Sequence, residues 1–217
     1  MDATSRNSFE ILACQPVWTE TDEPEFDHRM VILREAPDFP LDLKSVFIKE
    51  PNLLTYGHCS FATQQSFYEP QLQEARVYEQ LRQAPHPNIG VYYGCVVIDG
   101  RIKGLCLRRY KQTLAMLLRD QSLNYNEKQA IMEDIKRGVA HLHSLNLVHG
   151  DINLSNIMLD GKDSAVLIDF DSCRSKGEPM GPKAGTMNWG GLFPDVAHIE
   201  HDLNALKLIE ERLLADS

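Results

Sequence analysis

The segment from Leu147 to Asp171 leaves the rest of the chain little freedom. Leu147 and Val148 lead into His149-Gly150-Asp151, Asn156 follows five positions after that Asp, and two short apolar runs then flank Asp160-Gly161-Lys162-Asp163. Short apolar runs on either side of turn residues form a β-hairpin. A hairpin folds the chain back on itself, so the second run (165–168) delivers Asp169 to the loop that holds Asp151 and Asn156. Asp and Asn supply hard oxygen ligands, which suit Mg²⁺ better than Zn²⁺. A further carboxylate beside such an ion can orient or deprotonate a hydroxyl, the combination that phosphoryl transfer uses. Each of these residues alone is an ordinary turn former. All three at this spacing, with the apolar runs in register, point to a site.

At 217 residues the chain is one domain or two small lobes sharing one core. Its net charge of −9 argues against a general nucleic-acid or anionic-membrane surface, so neither DNA nor a membrane is an expected partner. The five cysteines are odd in number and no pair has C-x-x-C spacing. A disulfide framework and a zinc site are therefore not expected, and the reading is cytoplasmic. Met1-Asp2-Ala3-Thr4-Ser5-Arg6 has no cationic region leading into an apolar run, so no signal peptide is read there. No apolar stretch is long enough to span a bilayer.

Along the chain, residues 1–28 read as an extension that includes an acidic loop over 19–27. Residues 29–33 and 45–50 are strand candidates, separated by the breaker Pro37-Asp38-Phe39-Pro40. Residues 65–82 form an amphipathic helix with Leu72, Ala75, Val77, Tyr78 and Leu81 at or near its buried side, ended by Pro85-His86-Pro87. Strands at 91–98 and 104–107 flank Asp99-Gly100, a hairpin signal. A short helix over 113–119 and a longer one over 126–145 follow, the latter with Ile131, Ile135, Val139 and Leu142 as its core face. Residues 172–185 read as a mobile loop and 199–214 as a helix.

His149-Gly150-Asp151 with Asn156, followed by Asp169-Phe170-Asp171, resembles the catalytic loop and metal-binding segment of the protein-kinase-like superfamily. Gly150 in place of Arg is similar to small-molecule kinases of the aminoglycoside- and choline-kinase type, and to compact, truncated fungal kinase-like proteins. The resemblance implies an α+β, two-lobed fold: a β-rich first lobe with one helix over 29–107 and a truncated helical lobe over 108–217. It implies ATP and Mg²⁺ as cofactors. Asp151 would accept or orient the acceptor's hydroxyl proton, and Asn156 and Asp169 would hold the metal. Ser45-Val46-Phe47-Ile48-Lys49 resembles the strand whose lysine contacts the α- and β-phosphates, with Glu74 as that lysine's partner and Glu79 as the competing position. Leu107 falls at the gatekeeper position, and Arg108-Arg109-Tyr110 would be the hinge whose backbone meets adenine. Asp202 would support the backbone of the catalytic loop, with His149 packing inside that loop. Residues 183–189 resemble the end of an activation segment.

The departures carry their own expectations. No glycine precedes Gly57, so the Gly-rich phosphate cradle is missing or built differently, and Asp171 stands where the motif has Gly. Without the arginine at position 150, no phosphorylation switch read by that guanidinium is expected. The expected function is transfer of the ATP γ-phosphate to a small-molecule or unusual acceptor. Two alternatives stay open. One is another group transfer in natural-product biosynthesis, nucleotidyl or aminoacyl from a charged tRNA, for which Arg101, Lys103, Arg108, Arg109 and Lys111 offer a local basic strip. The other is a pseudokinase scaffold. Oligomeric state is not read.

Overall fold

The computed structural model describes residues 11–12, 43–50, 69–98, 101–180 and 196–214. The strand expected at 29–33, residues 65–68 of the first helix, the turn at 99–100 and the 183–189 motif lie outside the described residues. By its contacts the chain divides into two compact units, Met1–Tyr68 with Val91–Arg109, and Glu69–Gly90 with Tyr110–Ser217. The first long helix therefore groups with the second unit, where the sequence reading put it in the first lobe.

The first unit is an antiparallel sheet of order β1-β3-β4-β2, with β1 at Ile11–Leu12, β2 at Val46–Lys49, β3 at Tyr92–Ile98 and β4 at Arg101–Arg108. β1 comes from the stretch read as an extension and pairs with β3 through Ile11 opposite Val96. β3 and β4 start from Ile98 opposite Arg101, the pairing expected from Asp99-Gly100. A register shift between Tyr92 and Gly94 makes a bulge, and Gly94 takes φ 138° there, where a side chain would be strained. Gly104 has a different reason. A Cβ on it would lie 2.9 Å from Ile48 Cγ2 and 3.0 Å from the Lys49 carbonyl, so the approach of β4 to β2 requires glycine. Val46, Val96 and Cys106 form the core of this sheet with Tyr93 packed on it, and burial pushes the Cys106 thiol up to about 12.

In the second unit α1 (Glu69–Gln83) buries Ala75, Val77, Tyr78 and Leu81, with Leu72 half-buried. β5 (Gln112–Thr113) leads into α2 (Leu114–Asp120), capped by the Thr113 hydroxyl on the Met116 N–H. α3 (Tyr125–Ser144) opens with a capping box between Asn124 and Glu127, and buries Ile131, Ile135, Val139 and Leu142 as their spacing predicts. Its end is Asn146, whose φ of 60° reverses the chain into β6 (Leu147–Val148). The expected hairpin is β7 (Ile157–Leu159) against β8 (Ala165–Leu167), paired Ile157 with Leu167 and Leu159 with Ala165. Asp160 Oδ1 accepts the Lys162 and Ser164 N–H groups, which holds the hairpin turn. β5 extends this sheet on the β7 side.

The four two-residue strands, β1, β5, β6 and β9, were not foreseen. β9 (Arg174–Ser175) pairs antiparallel with β6, so the start of the stretch read as a mobile loop is tied to the approach to His149. Further on, Pro179 bridges Val196 just ahead of α4 (Ile199–Leu214), which has the bounds expected. No described helix is long and apolar enough to cross a membrane.

Candidate active site

The backbone between β6 and β7 is shaped by one carboxylate. Asp202, on the first turn of α4 and 1 % exposed, accepts the His149 N–H with Oδ2 and the Gly150 N–H with Oδ1, each at 2.9 Å. His143 Nε2 reaches the same Oδ2 at 2.8 Å. A buried carboxylate is tolerated when its lone pairs are met in this way, and it fixes two successive amides that no strand or helix would otherwise pair. This is the loop-supporting place that the sequence resemblance gave Asp202.

Gly150 follows at φ 77°. A Cβ there would lie 2.7 Å from Met180 Cε and 3.1 Å from the Ser172 carbonyl oxygen. The left-handed backbone calls for glycine, and the Ser172 carbonyl leaves a side chain little room, whereas the Met180 tip can give way.

His149 is fully buried. Its Nδ1 accepts the Asp151 N–H at 3.4 Å, which leaves Nε2 to donate to the Ile168 carbonyl at 3.1 Å. Its ring lies 5.2 Å from that of Phe170. Both nitrogens serve the loop, as expected for a packing residue.

Asp151 is half-buried and held by two asparagines. Asn156 Nδ2 donates to the Asp151 carbonyl at 2.8 Å and to Oδ2 at 3.0 Å, and Asn153 Nδ2 donates to Oδ1 at 3.2 Å. Asn156 thereby commits its amide nitrogen, and no described residue donates to its Oδ1. The Ile168 N–H bonds the Asn156 carbonyl at 3.0 Å, which brings the end of the β8 run, and Asp169 after it, to residue 156. Asp169 has φ 66°, a conformation that costs a non-glycine residue about 1–2 kcal/mol and concentrates at functional sites. Among the described residues no cluster of three His, Cys, Asp or Glu can hold a metal. An amide oxygen on Asn156 and a carboxylate on Asp169 nevertheless fit Mg²⁺, which binds through one or two carboxylates with substrate phosphates and water completing its shell.

Glu74, 1 % exposed on α1, accepts the Phe170 N–H at 3.2 Å with Oε1. One residue before it on α1, Gln73 Nε2 donates to the Cys173 carbonyl at 3.0 Å. Tyr78 packs edge-on against Phe170 with ring centroids 5.0 Å apart. Burial raises the Tyr78 hydroxyl well above its ordinary value, and the Glu74 and Asp169 carboxylates add to the shift, so the phenol keeps its proton. Asp171 has no positive φ, so this position does not demand the glycine of the motif. Its Oδ1 accepts the Ser172 hydroxyl, and its carbonyl accepts Arg174 Nη1 at 2.9 Å.

The first unit carries the other expected positions. Lys49 pairs with Leu105 and Phe47 with Leu107, so Lys49 and Leu107 share one face of the sheet. The Arg108 N–H bonds the Val91 carbonyl at 2.9 Å, and the Arg109 N–H bonds Ser45 at 2.7 Å. The Arg109 guanidinium donates to the Val46 carbonyl and lies over Phe47. The structure joins Asp151 to Asn156 directly and ties the backbone on either side of Asp169 to Asn156 and Glu74, all in the second unit, which also holds half-buried Tyr110. Lys49, Leu107 and Arg108 belong to the first unit. Glu79, the competitor of Glu74, has its carboxylate on Arg82, one turn along α1. Sequence reasoning missed Asn153, Gln73 and Met180.

A model of the protein kinase domain matches residues 60–190. Serine/threonine-protein kinase TAO3 of Xenopus laevis is 34 % identical over 119 residues, 54 % of this chain and 13 % of that protein. Cyclin-dependent kinase 10 of Mus musculus is 32 % identical over 109 residues, 47 % of this chain and 30 % of its own length. The chain therefore spans less than a third of the curated relatives named here. Among solved structures, the yeast RNA Pol II CTD kinase CTDK-1 complex contains a chain that superposes with a TM-score of 0.64 at 16 % identity, covering 79 % of this chain and 55 % of that one. A likeness at that identity speaks for the fold.

Proposed function

The chain belongs to the protein kinase domain family, and from that premise we propose that it transfers the γ-phosphoryl group of ATP to a hydroxyl-bearing acceptor. The observation that carries this reading is the Asp151 carboxylate, held by Asn156 on a loop that Asp202 braces from below. Such a carboxylate is pre-positioned to receive the proton of an attacking hydroxyl. Asn156 and Asp169 are the proposed Mg²⁺ ligands, and the ion would supply charge neutralisation on the ATP phosphates. Lys49 is assigned to the α- and β-phosphates. Leu107, Arg108 and Tyr110 are assigned to the adenine end, chiefly through backbone groups.

The acceptor proposed first is a small molecule, from the likeness of His149-Gly150-Asp151 to small-molecule kinases. A protein hydroxyl is the second reading, favoured by the likeness to serine/threonine-protein kinase TAO3 of Xenopus laevis. The test is transfer of label from γ-labelled ATP with Mg²⁺, offered in parallel to a pool of hydroxylated small molecules and to a denatured protein extract. Label entering either pool with wild type and falling by at least about 100-fold in Asp151→Asn is the expected result. Equal labelling by wild type and Asp151→Asn contradicts it.

A further inference from the structure

Asn153 belongs to none of the positions that the motif singles out, yet its side chain is used at both ends. Its Oδ1 accepts the Ser155 N–H at 2.9 Å and the Asn156 N–H at 3.3 Å. Its Nδ2 donates to Asp151, at 3.2 Å to Oδ1 and at 3.3 Å to the carbonyl. The first pair of contacts is an ordinary turn device for a short loop. The second pair reaches the carboxylate that carries the proposed function.

Each asparagine holds one oxygen of that carboxylate, Asn153 on Oδ1 and Asn156 on Oδ2. A carboxylate restrained at one oxygen still rotates, because the terminal torsion of Asp is broad and roughly two-fold. Restraint at both oxygens from different residues fixes the plane. A carboxylate oxygen has two lone pairs, so a bond from an amide does not exclude one from a hydroxyl.

We propose that Asn153 is a positioning residue: anchored to the loop backbone by its carbonyl, it uses its amide nitrogen to hold the Asp151 carboxylate in the plane from which an acceptor hydroxyl is received. The kinetic side of this inference rests on the phosphotransferase reading; the geometric side does not.

Two substitutions separate the halves of the side chain. Asn153→Asp keeps an oxygen for the Ser155 and Asn156 N–H groups, removes the donor and sets a like charge beside Asp151. Asn153→Ala removes both halves. Crystal structures of the full chain with Asn153→Asp and wild type read the geometry directly. The expected result is that the Asp151 carboxylate turns and leaves Asn156 Nδ2 while residues 153–156 keep their backbone. An unmoved Asp151 overturns the proposal. Should Asn153→Asp fail to fold, Asn153→Ser serves, because its hydroxyl caps the loop without reaching Asp151.

The kinetic arm uses Mg-ATP alone, with water as acceptor. Asn153→Asp is expected to lower kcat by ~10- to 100-fold with KM for ATP unchanged and the thermal midpoint near that of wild type. Wild-type kcat in Asn153→Asp, with Asn153→Ala merely destabilised, reduces the residue to a loop cap and overturns the proposal. If wild type shows no hydrolysis that depends on Asp151, the phosphotransferase reading fails and the crystal structures alone decide the place of Asn153.

Discussion

The loop after β6 and the sheet of the first unit hold their candidate positions by different means. In and near the loop, side-chain partners hold the backbone and the carboxylate: Asp202 the 149 and 150 amides, Asn153 and Asn156 the two oxygens of Asp151, Glu74 the 170 amide. In the sheet, Lys49 and Leu107 are placed by strand register, a repeating pattern that any suitable pair of strands supplies. A position set by register tolerates substitution of its neighbours. A position set by one buried hydrogen bond does not, because the partner left behind stays desolvated and unpaired.

The contrast is broken most sharply at Asp202. Asp202→Ala leaves the His149 and Gly150 amides buried without acceptors, and is expected to cost about 3–5 kcal/mol in urea unfolding, enough to leave little folded protein. A loss below ~1 kcal/mol would mean that the loop holds itself. Next in size, Gly150→Ala is expected to cost about 1–3 kcal/mol, from a left-handed backbone and from Met180 and Ser172 lying within 3.1 Å of the new Cβ. Adding Met180→Ala should recover only the part due to Met180 and leave the Ser172 contact and the backbone share. Full recovery would show that φ at 150 matters little. The smallest effect belongs to the sheet: Lys49→Ala, at a half-buried strand end, is expected to change stability by less than ~1 kcal/mol while weakening Mg-ATP binding. A large loss of stability there would erase the distinction between the two regions.

The same contrast explains what could be read from the amino-acid sequence. Patterned elements were legible. The 157–167 hairpin, the four aliphatics buried on α3 and the bounds of α4 follow from periodicity and turn residues. Asp202 was legible only through the spacing of its motif. Elements of two residues were not: β6 and β9 are too short to show a period, and β9 is Arg174-Ser175, whose side chains give no strand signal. The grouping of α1 with the second unit was also hidden, since it depends on contacts such as Gln73 with the Cys173 carbonyl, a hundred positions apart. Asn153 was not singled out: half of its side chain is an ordinary turn device, and the half on Asp151 shows only in the folded chain. The need for glycine at 150 comes from its left-handed backbone and the Ser172 carbonyl beside it, which only the folded chain fixes. The absence of an arginine at that position was visible, and the reason for it was not.

The role proposed for Asn156 and Asp169 is to complete a working Mg-nucleotide site. The most direct measurement is the thermal midpoint of the full chain with and without Mg-ATP, with Mg²⁺ replaced by chelator in one arm and Asp169→Asn as control. Nucleotide at ~100 times its dissociation constant stabilises by about 2.7 kcal/mol, a rise of roughly 2–4 °C for a chain of this size. That rise is expected with Mg-ATP, as is its loss both on chelation and in Asp169→Asn. No rise at millimolar Mg-ATP, or an equal rise in the variant, contradicts it.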